Sequence, residues 1–216
     1  MSPDPLSWWR RASAEALALL VPVDCAGCGT PDTALCDDCR RLLSTPAVLQ
    51  RRSPSGLRVC AAFSFETHVA AALRELKEGG RTALARPLGA ALAACAATQG
   101  RDAVFVPVPT SAAAFRRRGY RVPDLLLARA GLPALRGIDA VRRIADQRAL
   151  GREERAANVA LSMRGRTIVA GRRVVIVDDV VTTGATLDEA ARALTAAGAE
   201  VVAALTVAAT PRGNRT

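Results

Sequence analysis

The hydrophobic positions of this chain form short unbroken runs that alternate with segments of helical spacing. The clearest run is residues 174–177 (Val-Val-Ile-Val), which predicts a strand buried on both faces of a parallel sheet. Beyond it, apolar residues recur at i, i+3, i+4 and i+7, in Leu187, Ala190, Ala191 and Leu194. This spacing predicts a helix, and Gly198 supplies its stop.

The same alternation extends over the rest of the chain. Further strands are predicted at 57–65, 103–109, 138–144 and 200–207, and helices within 1–20, 69–78, 84–97, 110–121 and 125–130. Residues 44–56 have the composition of a linker, residues 147–166 that of a mobile loop or lid, and residues 211–216 that of a frayed tail. We therefore expect an α/β fold, a parallel sheet flanked by helices, over residues 51–216, with residues 1–50 forming a small separate subdomain.

Two carboxylates, Asp178 and Asp179, follow the central run directly. Open α/β sheets bind ligands at the carboxyl ends of their strands, so this pair is expected at a binding crevice. Carboxylates there suit a sugar diol, whose hydroxyls they accept, or a hard divalent cation. The alternative is a core strand that ends in two solvated acids and an ordinary turn.

A stretch of small residues separates the acid pair from the predicted helix. It consists of Thr182, Thr183, Gly184, Ala185 and Thr186. Free N–H groups at a helix start attract an anion, small side chains let it approach, and the threonine hydroxyls add donors. The sequence thus predicts a ligand with a phosphate on one side and a ribose diol on the other.

Four cysteines near the amino terminus form two Cys-x-x-Cys pairs, Cys25 with Cys28 and Cys36 with Cys39. Four thiolates complete a tetrahedral zinc shell and leave no position for catalysis, so a structural zinc site is predicted. A pair of disulfides or a redox dithiol are the alternatives. Disulfides require an oxidising compartment, which no other feature of the sequence supports.

The net charge of +10 is concentrated in the middle of the 216-residue chain. Residues 101–173 contain sixteen arginines against six acids. A substrate that carries a pyrophosphate, or a nucleic acid backbone, would account for this clustering. No apolar run reaches the roughly 18 residues of a membrane span, and we expect a cytoplasmic protein.

The stretch 174–186 closely resembles the phosphoribosyl pyrophosphate (PRPP) motif of type I phosphoribosyltransferases. With the paired cysteines, the chain resembles the ComF family of phosphoribosyltransferase-like proteins associated with competence. The shared motifs are Leu76-Lys77, Val106-Pro107-Val108-Pro109, Arg118-Gly119-Tyr120, Gln147-x-x-Leu150 and Arg155-x-x-Asn158. The sequence departs after Tyr120, where Arg121-Val122 replaces the usual Asn-Gln.

The resemblance implies transfer of a phosphoribosyl group from PRPP to an unidentified nitrogen acceptor, with release of pyrophosphate. It assigns the ribose hydroxyls to Asp178 and Asp179 and the 5′-phosphate to residues 182–186, and it implies that Mg²⁺ bridges pyrophosphate and ribose oxygens. Arg118 and the Gly119 amide would hold the pyrophosphate, with Lys77 and Arg155 as further candidates. The catalytic set would be Asp178, Asp179 and Arg118.

Two further functions stay open. One is a PRPP-binding regulator without turnover, and the other is an accessory factor that handles nucleic acid in DNA uptake, alongside competence or DNA-processing proteins. The sequence identifies neither the acceptor nor the oligomeric state.

Overall fold

The computed structural model describes residues 23–100, 102–141 and 160–211. The strands are β1 Leu49–Arg52, β2 Arg58–Ser64, β3 Val104–Pro107, β4 Ile138–Ala140, β5 Met163–Gly165, β6 Arg173–Val181 and β7 Glu200–Ala209. The helices are α1 Asp37–Ser44, α2 Thr67–Lys77, α3 Ala85–Ala96, α4 Ala112–Arg118, α5 Val122–Ala130 and α6 Ala185–Ala196. Short 3₁₀ turns occupy Thr82–Leu84 and Thr167–Val169.

The main sheet has five strands in the order β1-β2-β7-β6-β3. Strands β2, β7, β6 and β3 are mutually parallel, and β1 pairs antiparallel with β2 at one edge. A separate two-stranded ribbon joins β4 to β5. The predicted α/β class with a mostly parallel sheet is confirmed.

Helices cover both faces of the sheet, and this explains the unbroken apolar run in β6. Val175 and Val177 pack in the core formed with α2, α3 and α5, whereas Val174 and Ile176 pack in the core on the α6 side. All four side chains are fully buried. Because successive strand residues face opposite sides, both sets must be apolar.

The structure differs from the prediction at residues 44–56, which do not form a plain linker. Residues 49–52 form β1, and Ser53 N–H donates to the Leu57 carbonyl (2.9 Å) to close a hairpin with β2. Exposed Leu49 and the polar residues that follow it gave no periodicity that would indicate a strand. The pairing with β2 is what makes this segment extended.

Two other boundaries also shifted. The final part of the predicted loop at 147–166 forms β5, because Met163 and Gly165 pair with β4. The acid pair does not end β6: the strand continues to Val181, because β7 runs beside it as far as Ala209. The predictions for residues 1–20, for most of the 147–166 segment with Arg155, and for the tail beyond Pro211 lie outside the described residues.

No helix within the described ranges combines the length and the apolar character needed to cross a bilayer.

Candidate functional site

The acid pair lies where β6 loses one neighbouring strand and keeps the other. Strand β3 ends at Pro107, opposite Val177, and Val108 N–H makes its last bond there, to the Val177 carbonyl (2.8 Å). On the other side Asp178 remains paired with Thr206 of β7. The end of β3 therefore opens a crevice at the carboxyl end of β6, the usual ligand position in such sheets.

Asp178 and Asp179 are both partly buried and face opposite sides of the strand. Asp179 Oδ1 lies 2.9 Å from Lys77 Nζ, so its carboxylate has a cationic partner. Asp178 Oδ1 accepts only the N–H of Asp179 (2.8 Å) among the described bonds. Burial, reinforced by the negative charge of Asp179, raises the pKa of Asp178 to about 7.

Lys77 is the last residue of α2, and a tyrosine links that helix end to another predicted motif. The Tyr120 hydroxyl donates to the carbonyl of Leu76. Because Tyr120 follows Arg118 and Gly119, the two motifs that sequence analysis associated with pyrophosphate lie side by side. The sequence suggested a shared ligand for them but gave no sign of this contact.

Arg118 and Gly119 form the end of α4. Gly119 has a φ of 78°, a left-handed conformation that suits glycine, and its N–H donates to the Phe115 carbonyl (2.8 Å). That amide caps the helix in this structure, and the contact of the Gly119 N–H with pyrophosphate stays a prediction. The Arg118 Nε is buried and has no hydrogen-bond partner within the described ranges. An unsatisfied guanidinium N–H is suited to an anionic ligand.

The small-residue loop leads from β6 into α6, as predicted. Gly184 is buried with a φ of 94°, and α6 begins at the next residue, Ala185. Thr183 Oγ1 accepts the N–H of Ala185 at 3.3 Å. Since the first N–H groups of a helix have no partner within it, the start of α6 presents donors for an anion.

The β1–β2 hairpin contacts this loop, and sequence reasoning missed its residues. The Arg51 guanidinium donates to the carbonyls of Thr182 (2.6 Å) and Thr210 (3.1 Å). Ser53 Oγ, Ser55 Oγ (2.5 Å) and Ser55 N–H (3.2 Å) donate to the Asp188 carboxylate in the first turn of α6. The Ser-Pro-Ser-Gly composition indicated a turn but not what the turn would touch.

The four amino-terminal cysteines are brought together. Their sulfur atoms all lie within 4.8 Å of one another, and each is a free thiol. A Cβ on Gly27 would lie 2.6 Å from Cys39 Sγ, so glycine is needed for this approach. Four convergent sulfurs could hold a tetrahedral zinc ion.

The backbone favours an ionised thiol at Cys25, whereas burial and the neighbouring thiols raise the pKa of Cys39. Burial raises the pKa of Cys25, but N–H donors of Cys36, Cys28 and Gly27 outweigh it and lower that pKa to about 6. Cys36 N–H lies 3.3 Å from Cys25 Sγ. The N–H groups of such knuckles stabilise the thiolate, which is the form that binds zinc.

Four arginines of the basic middle region line a cleft beyond the end of β3. It has a volume of about 470 Å³, and its arginines are Arg116, Arg121, Arg136 and Arg166. The Arg121 guanidinium lies over the Phe115 ring, 4.4 Å from its centre. Arg136 and Arg166 each lie 3.6 Å from an aspartate, Asp124 and Asp139.

Residues 92–215 match the model of the phosphoribosyl transferase domain family. The match covers more than half of the chain, which therefore belongs to this family. No curated protein matches the chain.

Several solved structures are distantly similar. Glutamine PRPP amidotransferase from B. subtilis, complexed with ADP and GMP, is 23% identical over 57% of this chain and 26% of its own, with a TM-score of 0.38. Leishmania donovani UMP synthase is 15% identical over 99% of this chain and 38% of its own (TM-score 0.41). Orotate phosphoribosyltransferase from Mycobacterium tuberculosis H37Rv is 15% identical over 80% of this chain and 94% of its own, with a TM-score of 0.36. The chain thus spans about a quarter of the amidotransferase, and likenesses this remote carry no argument about its activity.

Proposed function

We propose that this chain binds PRPP at the carboxyl end of β6 and transfers its phosphoribosyl group to a nitrogen acceptor, releasing pyrophosphate. The observation that carries the proposal is the acid pair at the crevice beside β3, followed within a few residues by the start of α6. These two features suit the two halves of a ribose 5-phosphate. The family match over residues 92–215 supports the same conclusion.

Each half of the ligand has its own set of side chains in this proposal. Asp178 and Asp179 accept the ribose hydroxyls, and residues 182–186 hold the 5′-phosphate with backbone N–H groups and threonine hydroxyls. The carboxylate oxygens of Asp178 and Asp179 would hold a magnesium ion, which would neutralise part of the negative charge of the ligand.

The leaving pyrophosphate lies on the side of Lys77 and Arg118. Lys77 serves both the Asp179 carboxylate and the pyrophosphate, and the unpaired Nε of Arg118 supplies a second cation. Gly119 contributes the turn that ends α4, and Arg155 enters the proposal on its motif alone. In the reaction the bond from C1 to the pyrophosphate oxygen breaks and a bond from C1 to nitrogen forms. The side chains act by position and charge, without a covalent intermediate.

Titration calorimetry with PRPP tests the proposal. We expect binding that strengthens with Mg²⁺, and a loss of at least about 100-fold in affinity in the double variant Asp178→Asn/Asp179→Asn, because two charged acceptors are removed. Asp102→Asn is the matched control, since its exposed carboxylate pairs with Arg173 (2.7 Å) at the opposite end of the strands. Wild-type protein that does not bind PRPP, with or without Mg²⁺, would refute the proposal.

Turnover needs a separate measurement. Pyrophosphate release from PRPP in the presence of a panel of bases and amines would identify a transferase and its acceptor class. Binding without release under any acceptor would instead favour the regulator.

We further propose that the chain is a member of the ComF family, with zinc held by Cys25, Cys28, Cys36 and Cys39, and that it acts in the cytoplasm. The support is the combination of the four clustered sulfurs with the phosphoribosyl loop in one chain. Thiols of this kind persist in a reducing compartment.

The arginine-lined cleft favours an accessory role with nucleic acid as the second candidate. Guanidinium groups and one aromatic ring beside a groove suit phosphates and bases. If this role is correct, single-stranded DNA affinity falls steeply with salt. Arg116→Gln/Arg121→Gln should then reduce the slope of log affinity against log salt concentration by the equivalent of about two phosphate contacts. Affinity that is independent of salt would contradict it.

A further inference from the structure

The β1–β2 hairpin contacts the small-residue loop, residues 182–186, through the side chain of Arg51. Arg51 pairs with Val59, and adjacent paired residues have side chains on the same face, here the face that α6 covers. From that face the Arg51 guanidinium reaches the Thr182 carbonyl (2.6 Å) and the Thr210 carbonyl (3.1 Å). One side chain therefore joins the edge strand to both segments that follow β6 and β7.

This contact fixes the direction of a donor on the far side of the loop. In a planar trans peptide the C=O and N–H point in opposite directions. With the Thr182 carbonyl directed at Arg51, the N–H of Thr183 must point away from it. The preceding unit is fixed in the same way, because the Val181 carbonyl accepts Thr210 N–H at 3.0 Å.

The tip of the hairpin adds a second attachment. Three donors from Ser53 and Ser55 engage the Asp188 carboxylate, a negative group in the first turn of α6. A Cβ on Gly184 would lie 3.0 Å from Pro54 Cδ, so the tip packs closely on the helix start. The carboxylate that would oppose an anion at this helix is thus turned to the serines.

We propose that Arg51 is a positioning residue for the 5′-phosphate. It holds the peptide units of the loop so that their N–H groups face the phosphate and their carbonyls do not. The inference rests on the proposed function, because it needs a phosphate at the start of α6. It assigns the hairpin, which lies outside the matched residues 92–215, a part in the same binding site.

The test compares two fragments of the substrate. Calorimetric affinities for ribose 5-phosphate and for magnesium pyrophosphate are measured on wild type, Arg51→Met, Arg51→Lys and the control Arg58→Met. Arg58 is the matched control because it donates to a sheet carbonyl in the same way, Nη2 to Val202 at 3.1 Å, but away from the loop. Circular dichroism and thermal unfolding verify that each variant is folded.

We expect Arg51→Met to weaken ribose 5-phosphate about tenfold, as for the loss of two charged hydrogen bonds, and to leave magnesium pyrophosphate within twofold. Arg51→Lys, which keeps the charge and one donor, should recover part of the loss, and Arg58→Met should change neither affinity. If Arg51→Met does not fold, Arg51→Lys decides alone, with a loss of about threefold expected for ribose 5-phosphate only.

Two results would overturn the inference. One is unchanged ribose 5-phosphate affinity in folded Arg51→Met, and the other is an equal loss for both ligands, which would indicate a general structural role. Wild type that binds neither PRPP nor ribose 5-phosphate is a different outcome: it removes the proposed function itself, and the role of Arg51 with it.

Discussion

The cysteine cluster and the crevice at the end of β6 are assembled in opposite ways. All four sulfurs come from fifteen consecutive residues, 25–39, and converge within 4.8 Å. The proposed PRPP site draws on four separate segments, around Arg51, Lys77, Arg118 and Asp178. A site encoded in one short stretch is recognisable from residue spacing, whereas an assembled site depends on contacts that spacing does not encode.

The two regions also differ in what their loss would do to the fold. Ala26 and Leu43, beside the cysteines, belong to the same core as Leu88 and Leu92 of α3. The acidic residues of the crevice, Asp178 and Asp179, are only partly buried and do not belong to this core. Disrupting the cluster should therefore destabilise the main core, while changes in the crevice should not lower the stability of the fold.

The largest effect is expected from Cys39→Ser. Structural zinc contributes on the order of 10 kcal/mol in small metal-bound modules, so loss of one buried ligand should abolish stoichiometric zinc and lower the melting temperature of the whole chain. Metal analysis and thermal unfolding measure the two effects. Cys60→Ala, a buried cysteine outside the cluster, should keep its zinc. Full zinc content and an unchanged melting temperature in Cys39→Ser would disprove the closed site.

An intermediate effect is expected from Asp178→Asn, and it should be stabilising. The folded-state pKa of Asp178, about 7, lies above the ordinary value of an aspartate, so wild-type stability falls as pH rises from about 4 to about 7. Asparagine removes that cost. The difference between the two pKa values corresponds to about 4 kcal/mol, so the variant should gain up to about 4 kcal/mol at pH 8 and almost nothing below pH 4.

Urea unfolding at the two pH values measures this gain. Asp102→Asn is the control, because hydrogen bonding to Arg173 lowers the pKa of Asp102, and its replacement should bring no gain at pH 8. A loss of stability in Asp178→Asn at pH 8 would contradict the burial argument. The result matters for the comparison because it would show that the crevice, unlike the cluster, is destabilised by its own functional groups.

The smallest effect is expected from Tyr120→Phe. Removing the hydroxyl takes away the hydrogen bond to the Leu76 carbonyl and loosens the end of α2 that carries Lys77. The affinity for PRPP should therefore fall about threefold. The effect should vanish in a Lys77→Met background, a coupling that a double-mutant cycle measures. Ribose 5-phosphate, which lacks the pyrophosphate, should bind as before. Equal losses for both ligands would mean that Tyr120 does not act through Lys77.

The predictability of each feature follows this division. The apolar run 174–177, the glycine after the threonines and the paired cysteines predicted the α/β class, the loop and the cysteine cluster, because each signal is local. Residues 49–52 were missed as a strand because their extended form comes from β2. The partners of Asp179, Leu76 and Thr182 are 102, 44 and 131 positions distant, and no pattern within a segment reveals them.

The prolines at the end of β3 limit pairing of this sheet edge with strands of other molecules. β3 is the outer strand of the sheet, and Pro107 and Pro109 have no amide hydrogen with which to continue the ladder. On the outer side of β3, Phe105 already forms a β-bridge with Ala134, and its carbonyl accepts the N–H of Leu135. A strand from another molecule therefore finds few free backbone groups with which to pair at the β3 edge, and this protects the sheet from edge-to-edge aggregation.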